Sequence, residues 1–245
     1  MFLIGSDDND PPCVNERISG VAQMISLDHV SKSYRVGYKQ HSVLDDISFT
    51  FPRLKSVGIL GANGAGKSTL IKIIGGAEKP DTGRVIRTSK LSWPMGYSGG
   101  FQGDLTGREN ARFVARIYGA DFHQVEQSTT EFSELGKYFD QPLSTYSAGM
   151  KSRFAMAVSY ALDFEYYLVD EALETGDARL KEKFRQVFKE RRQTSSVILV
   201  SHNENTIRRN CDVAAVLTNG KLHYFEDLDE AFVMYRNILF SETAA

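Results

Sequence analysis

Eight consecutive residues, Gly61-Ala62-Asn63-Gly64-Ala65-Gly66-Lys67-Ser68, fill every fixed position of the pattern G-x-x-x-x-G-K-[ST]. This run constrains the fold more than any other feature, because it works only between a buried strand and a helix. Glycines let the backbone curl until successive N–H groups face an anion that a Cβ would obstruct. The helix that follows presents its positive N-terminus to the same anion. Both neighbours are present: Val57–Leu60 is an apolar, strand-sized run, and Thr69–Ile74 has helical spacing closed by Gly75-Gly76. With average composition the four fixed positions arise by chance in a chain of this length with odds on the order of one per cent. The loop therefore reads as a cradle for nucleotide phosphates formed by Gly61, Ala62, Asn63, Gly64, Ala65 and Gly66. Lys67 reaches the β- and γ-phosphates, Ser68 can ligate Mg²⁺, and Thr69, the residue after the motif, is a further candidate nucleotide-binding residue.

A site of this kind needs an acid at the end of a second buried strand. Tyr166-Tyr167-Leu168-Val169 suits a strand covered on both faces, and Asp170-Glu171 follow at once. Asp170 is placed to hold Mg²⁺ through water, and Glu171 to polarise the attacking water. On its own such a pair could equally end a strand or cap a helix. A third apolar strand, Val197–Val200, leads to Ser201-His202, so His202 can approach the γ-phosphate, although a lone surface histidine is the commoner case.

Further strands are expected at Ile25–Val30, Ile47–Phe51, Val85-Ile86 and Val213–Leu217. Residues 105–162 read as mostly helical, interrupted at Gly119 and Gln141-Pro142, and a charged helix is expected over residues 178–192. The aromatic-rich end, Phe225–Phe240, suits a helix packed on the core. The predicted class is α/β: a P-loop NTPase core with a mixed sheet and an inserted helical subdomain at about 104–162. The Asp-, Asn- and Pro-containing segment 1–23 is expected to be a tail, 24–236 the nucleotide-binding domain, and 237–245 a short C-terminal tail.

Composition excludes several alternatives. Lys and Arg total 29 against 31 Asp and Glu, a net charge of −2 that gives no electrostatic case for nucleic acid as a partner. Cys13 and Cys211 are too few and too far apart for a disulfide framework or a zinc site. The apolar Met1–Ile4 has no basic region before it, so a secretory leader is not expected, and no apolar run approaches the ~18 residues of a membrane span.

Tyr146-Ser147-Ala148-Gly149-Met150 resembles the signature motif of ABC transporter ATPases, usually Leu-Ser-Gly-Gly-Gln, with Ser147 preceding Asp170 by 23 residues. The Ser-x-Gly core is kept as Ser147 and Gly149, while Tyr146, Ala148 and Met150 depart from the general pattern toward that of bacterial surface-polysaccharide exporters. Trp93-Pro94, the run from Gly99 to Asn110, Leu135–Asp140 and Gly176-Asp177-Ala178 look similar to capsular-polysaccharide exporters as well. Tyr34 resembles the aromatic that stacks on adenine, where otherwise a packed strand tyrosine would be the better reading. The resemblance covers Met24 to about Arg236.

It implies ATP and Mg²⁺ as ligands, and hydrolysis that uses Glu171, His202 and Lys67. It also implies a homodimer in which Ser147 and Gly149 of one subunit face the nucleotide of the other. The partners it implies are an integral membrane permease, touched through about Ser98–Glu109, and periplasmic export components. The expected location is the cytoplasmic face of the inner membrane, with capsule-type polysaccharide as cargo. Teichoic-acid and O-antigen exporters are the alternatives; O-antigen exporters often carry a further carbohydrate-binding domain, which is not expected here, so capsule or teichoic-acid export is the favoured expectation. The family's glutamine, eight residues before the Leu-Thr pair, falls on Tyr97, whereas Gln102 lies three residues before Leu105. Kinases and GTPases share the glycine loop, but no Asn-Lys-x-Asp is present. Ribosome- or DNA-directed ABC ATPases usually carry two cassettes, and a non-hydrolysing regulator would be expected to have lost Glu171 or His202.

Overall fold

The computed structural model describes residues 24–94, 100–170, 182, 186–187 and 189–243. At its centre is β3 (Ser56–Leu60), buried at every position. Gly58 is required there: a Cβ would lie 2.6 Å from Ile207 Cγ2. Strand β3 is flanked by β6 (Ser196–Val200) and β7 (Val213–Thr218), with β5 (Tyr166–Val169) outside β6, all mutually parallel. Near-continuous apolar runs are what strands covered on both faces demand. Strand β8 (Lys221–Phe225) joins the edge antiparallel to β7 through Asn219-Gly220, both with positive φ (49° and 74°). That is the two-residue turn whose twist suits a hairpin.

A second, antiparallel sheet has the order β2 (Lys39–Phe51), β1 (Ile25–Val36), β4 (Thr82–Arg87). Its buried Ile25, Leu27, Val30, Leu44, Ile47 and Phe51 pack with α1 (Lys67–Gly75) against Ile59, Tyr166, Leu168 and Ile198. The alternate residues Tyr167, Val169, Val197 and Leu199 face the opposite cluster with the remaining helices. The strand period of two thus splits the core into two layers.

Between β4 and β5 lie α2 (Gly107–Tyr118), α3 (Phe122–Ser133), two 3₁₀ turns (Gly136–Asp140 and Leu143–Thr145) and α4 (Ala148–Ala161). Thr106 and Glu109 form a capping box at the start of α2, and Gly119 ends it in the left-handed conformation (φ 64°). The chain then makes α5 (Glu204–Asn210) and α6 (Leu228–Thr243). Ala231, Phe232 and Tyr235 of α6 are buried, and Arg236 pairs with Glu204 at 2.9 Å. The helix does not stop at Arg236, where the expected tail begins, but continues to Thr243. The expected helix over 178–192 lies largely outside the described residues. No helix among the described residues is long and apolar enough to cross a membrane.

Candidate functional site

The C-terminal ends of β3, β6 and β5 share one edge because these strands are parallel, and each carries a predicted site residue just beyond it. β3 runs into the glycine loop, β6 into Ser201-His202, and β5 into Asp170. Ser201 is buried, and its N–H donates to Ile59 O at 3.2 Å, tying the end of β6 to that of β3.

The loop has the geometry its residue types dictate. Gly64 and Gly66 take φ of +87° and +100°. A Cβ on Gly66 would stand 2.6 Å from Val43 Cγ1, and one on Gly61 2.7 Å from Leu217 O. Beside Gly64 nothing lies within 4 Å, so the cradle is open there. Lys67 is only 9 % exposed, and its ammonium donates to Gly61 O (2.6 Å) and Ala62 O (2.9 Å) across the loop. Burial lowers the Lys67 pKa and raises that of Asp170, with their mutual attraction opposing both shifts. Such a pair is electrostatically suited to an anion and a cation bound together. Ser68 is exposed in the first turn of α1, and Asp170 is half-buried. A hydroxyl and a carboxylate beside a phosphate cradle are a hard-oxygen donor set that fits Mg²⁺.

The remaining predicted residues occupy separate places. Tyr34 lies on β1, 37 % exposed, with its hydroxyl 3.3 Å from Thr69 Oγ1. His202 is exposed, and its carbonyl accepts from the Tyr235 hydroxyl at 3.2 Å, so α6 braces the backbone there. Ser147 caps α4 by accepting from Met150 N–H at 3.3 Å, and Ser147, Ala148 and Gly149 are all exposed. Behind them Tyr146 is buried, donating to Tyr138 O at 2.6 Å.

Gln102 is exposed, and its backbone is fastened to α2. Its N–H donates to Asn110 Oδ1 (2.9 Å), and its carbonyl accepts from Asn110 Nδ2 (3.0 Å). Sequence reasoning placed Asn110 in the run from Gly99 to Asn110 without giving it a role, and missed Tyr235, which belongs to no local motif. Glu171, Tyr97 and Gly176-Asp177-Ala178 lie outside the described residues.

A parallel sheet with this loop at its central strand and a carboxylate two strands away defines a P-loop nucleotide-binding cassette. The ABC transporter family model matches residues 44–174. Over 215 residues the chain is 47 % identical to the capsule polysaccharide export ATP-binding protein CtrD of Neisseria meningitidis serogroup B, covering 88 % of this chain and all of the relative. It is also 47 % identical over 216 residues to the polysialic acid transport ATP-binding protein KpsT of Escherichia coli, covering 87 % of this chain and 96 % of that one. Identity to the teichoic acids export ATP-binding protein TagH of Staphylococcus saprophyticus is 31 % over 235 residues, covering 88 % of this chain and 89 % of that one.

Among solved structures, an ATP-binding subunit of an ABC transporter superposes with a TM-score of 0.73, covering 91 % of this chain and all of that one at 23 % identity. A dimeric ATP-binding cassette bound to ADP and Pi gives 0.69, covering 81 % and 96 % at 23 % identity. Those two establish the fold. The chain belongs to the ATP-binding subunits of ABC transporters, and as such it is an ATPase.

Proposed function

We propose that this chain powers export of a capsule-type cell-surface polysaccharide through a separate membrane permease. The observation that carries the substrate class is its 47 % identity, nearly end to end, with capsule and polysialic acid export subunits, against 31 % with a teichoic-acid one. The cassette would sit peripherally on the cytoplasmic face of the inner membrane, with periplasmic components completing the export route.

The chain's own residues divide the work. Loop N–H groups, the start of α1 and Lys67 bind and orient the triphosphate. Ser68 and Asp170 would hold Mg²⁺, which when bound shields phosphate charge. Glu171 polarises the attacking water, and His202 helps hold it near the γ-phosphate. Ser147 and Gly149 are exposed at the start of α4, which supports a role toward a partner's nucleotide: two copies would enclose two ATP molecules and separate once the bridging phosphate charge is lost. The stretch 98–109 would meet the permease; there the described Gly103 and Asp104 are exposed beside the fastened Gln102. Substitutions there that stopped export while sparing association and stimulated turnover would count against that contact.

Co-expression with a candidate permease tests the function. Stable co-purification and raised ATPase activity, abolished by Lys67→Ala, is the expected result. A chain that binds no membrane partner and is stimulated instead by ribosomes or DNA would refute it.

A further inference from the structure

Tyr34 is bound more elaborately than a strand tyrosine needs to be. Its hydroxyl donates to Glu78 Oε1 at 2.7 Å as well as lying beside Thr69. Thr69 stands in the first turn of α1, and Glu78 follows that helix's end. Lys32 Nζ lies 3.3 Å from Glu78, 3.0 Å from Asp81 and 5.5 Å from the centroid of the Tyr34 ring. Asp81 accepts from the Ser33 N–H (2.8 Å) and hydroxyl (3.1 Å), and its own N–H donates to Ser31 O (2.9 Å). Residues 31–34 of β1 are thus laced to the connection 78–81 that leaves α1.

Surface ion pairs contribute little to folding, so stability alone gives weak reason for this density of bonds. Charge-assisted bonds are, however, directional. The hydroxyl bond to Tyr34 also lowers the Glu78 pKa, keeping the acceptor ionised. The outcome is an aromatic ring fixed at its polar edge yet 37 % exposed.

We propose that Glu78 and Asp81 are positioning residues for recognition of the nucleotide base: they hold Tyr34 at a set distance from the phosphate loop, so that its ring is a preformed stacking platform. This rests on Tyr34 being the adenine-stacking aromatic. The platform is referenced to α1 at both ends, through Thr69 and Glu78, and α1 begins at Lys67. Base and phosphate subsites therefore share one rigid ruler, and a ligand meeting both loses less freedom on binding. Release of the tether weakens ligands that carry a base and spares those that do not.

The test is calorimetric titration of the full chain with ADP and with inorganic pyrophosphate, both with Mg²⁺. Glu78→Ala is expected to weaken ADP about fivefold and change pyrophosphate by less than about twofold. Glu78→Gln keeps an oxygen that accepts from the phenol and should recover most of the ADP affinity. Tyr34→Phe, which keeps the ring but loses the tether, should resemble Glu78→Ala and settles the matter if that variant folds poorly. Equal loss of ADP and pyrophosphate would overturn the proposal by showing a general structural role. So would a weakened Tyr34→Ala beside unaffected Glu78→Ala and Tyr34→Phe, with the base contact surviving. ADP binding unaffected by Tyr34→Ala would remove the base contact itself.

Discussion

Replacing Gly66 with alanine should do far more damage than the same change at Gly64, two residues earlier in the same loop. Both have positive φ, +100° and +87°. The left-handed conformation costs an L-residue about 1–2 kcal/mol at either site. Only at Gly66 is there also an overlap, with the new Cβ 2.6 Å from Val43 Cγ1 and 3.1 Å from Val43 O. Forced overlaps in packed surroundings add about 1–3 kcal/mol, so with the strain Gly66→Ala should lose roughly 2–5 kcal/mol. For a chain of this size that lowers Tm by roughly 4–20 °C. Gly64→Ala should lose about half as much or less. Trimming the neighbour, as in Gly66→Ala/Val43→Ala, relieves the side-chain overlap but not the strain or the carbonyl contact, and should recover part of the loss. Thermal denaturation of the three variants beside the wild type decides it. A Gly66→Ala protein as stable as Gly64→Ala would refute the steric reasoning.

The Cys211 thiol, 5 % exposed and with its pKa pushed up by burial, should resist alkylation at pH 8 in a Cys13→Ser background until the protein is unfolded. Burial raises the Tyr146 pKa to about 12 from an ordinary 10, so its contribution is complete below pH 10 and is lost as pH rises toward 12. Tyr146→Phe should flatten alkaline unfolding across that window, at the expense of the 2.6 Å bond to Tyr138 O near neutrality. Ser147→Ala removes a long, exposed cap bond and should lower stability by about 0.5 kcal/mol, the low end for such caps. In a Glu171→Gln background the same change should abolish the doubling of mass on adding ATP, as read by light scattering. A dimer unaffected by it would count against the facing-subunit arrangement.

How much was legible varied with the range of the interactions. The loop and the buried strands Tyr166–Val169, Val197–Val200 and Val213–Leu217 were readable because each is a contiguous run with its own signature. β8 was equally local and still passed over, although Asn219-Gly220 between two apolar-containing runs is a strong hairpin signal. The full extent of β1 was not readable: its register shifts between Leu27 and Ser33, with polar Lys32 and Ser33 following, break the alternation that marks a strand. The region 105–162 read as broadly helical. Its two 3₁₀ turns around Gln141-Pro142 depend on bonds such as Ser144 N–H to Gly103 O, which no periodicity reveals. Parallel pairing of β3, β6 and β5 brings Lys67, Ser201 and Asp170 to one edge, a juxtaposition that spans more than a hundred residues of chain. The acids that tether Tyr34 and its neighbour Ser33 lie more than forty residues away in sequence, so only the folded chain could reveal them.

The proposed function is tested most directly by where polysaccharide accumulates in cells lacking this chain and supplied with either the wild-type protein or Lys67→Ala. Wild type should restore polymer to the cell surface, whereas Lys67→Ala, made at equal level, should leave it trapped inside. Surface polymer that is equal in both, or that never fell when the chain was removed, would contradict the account.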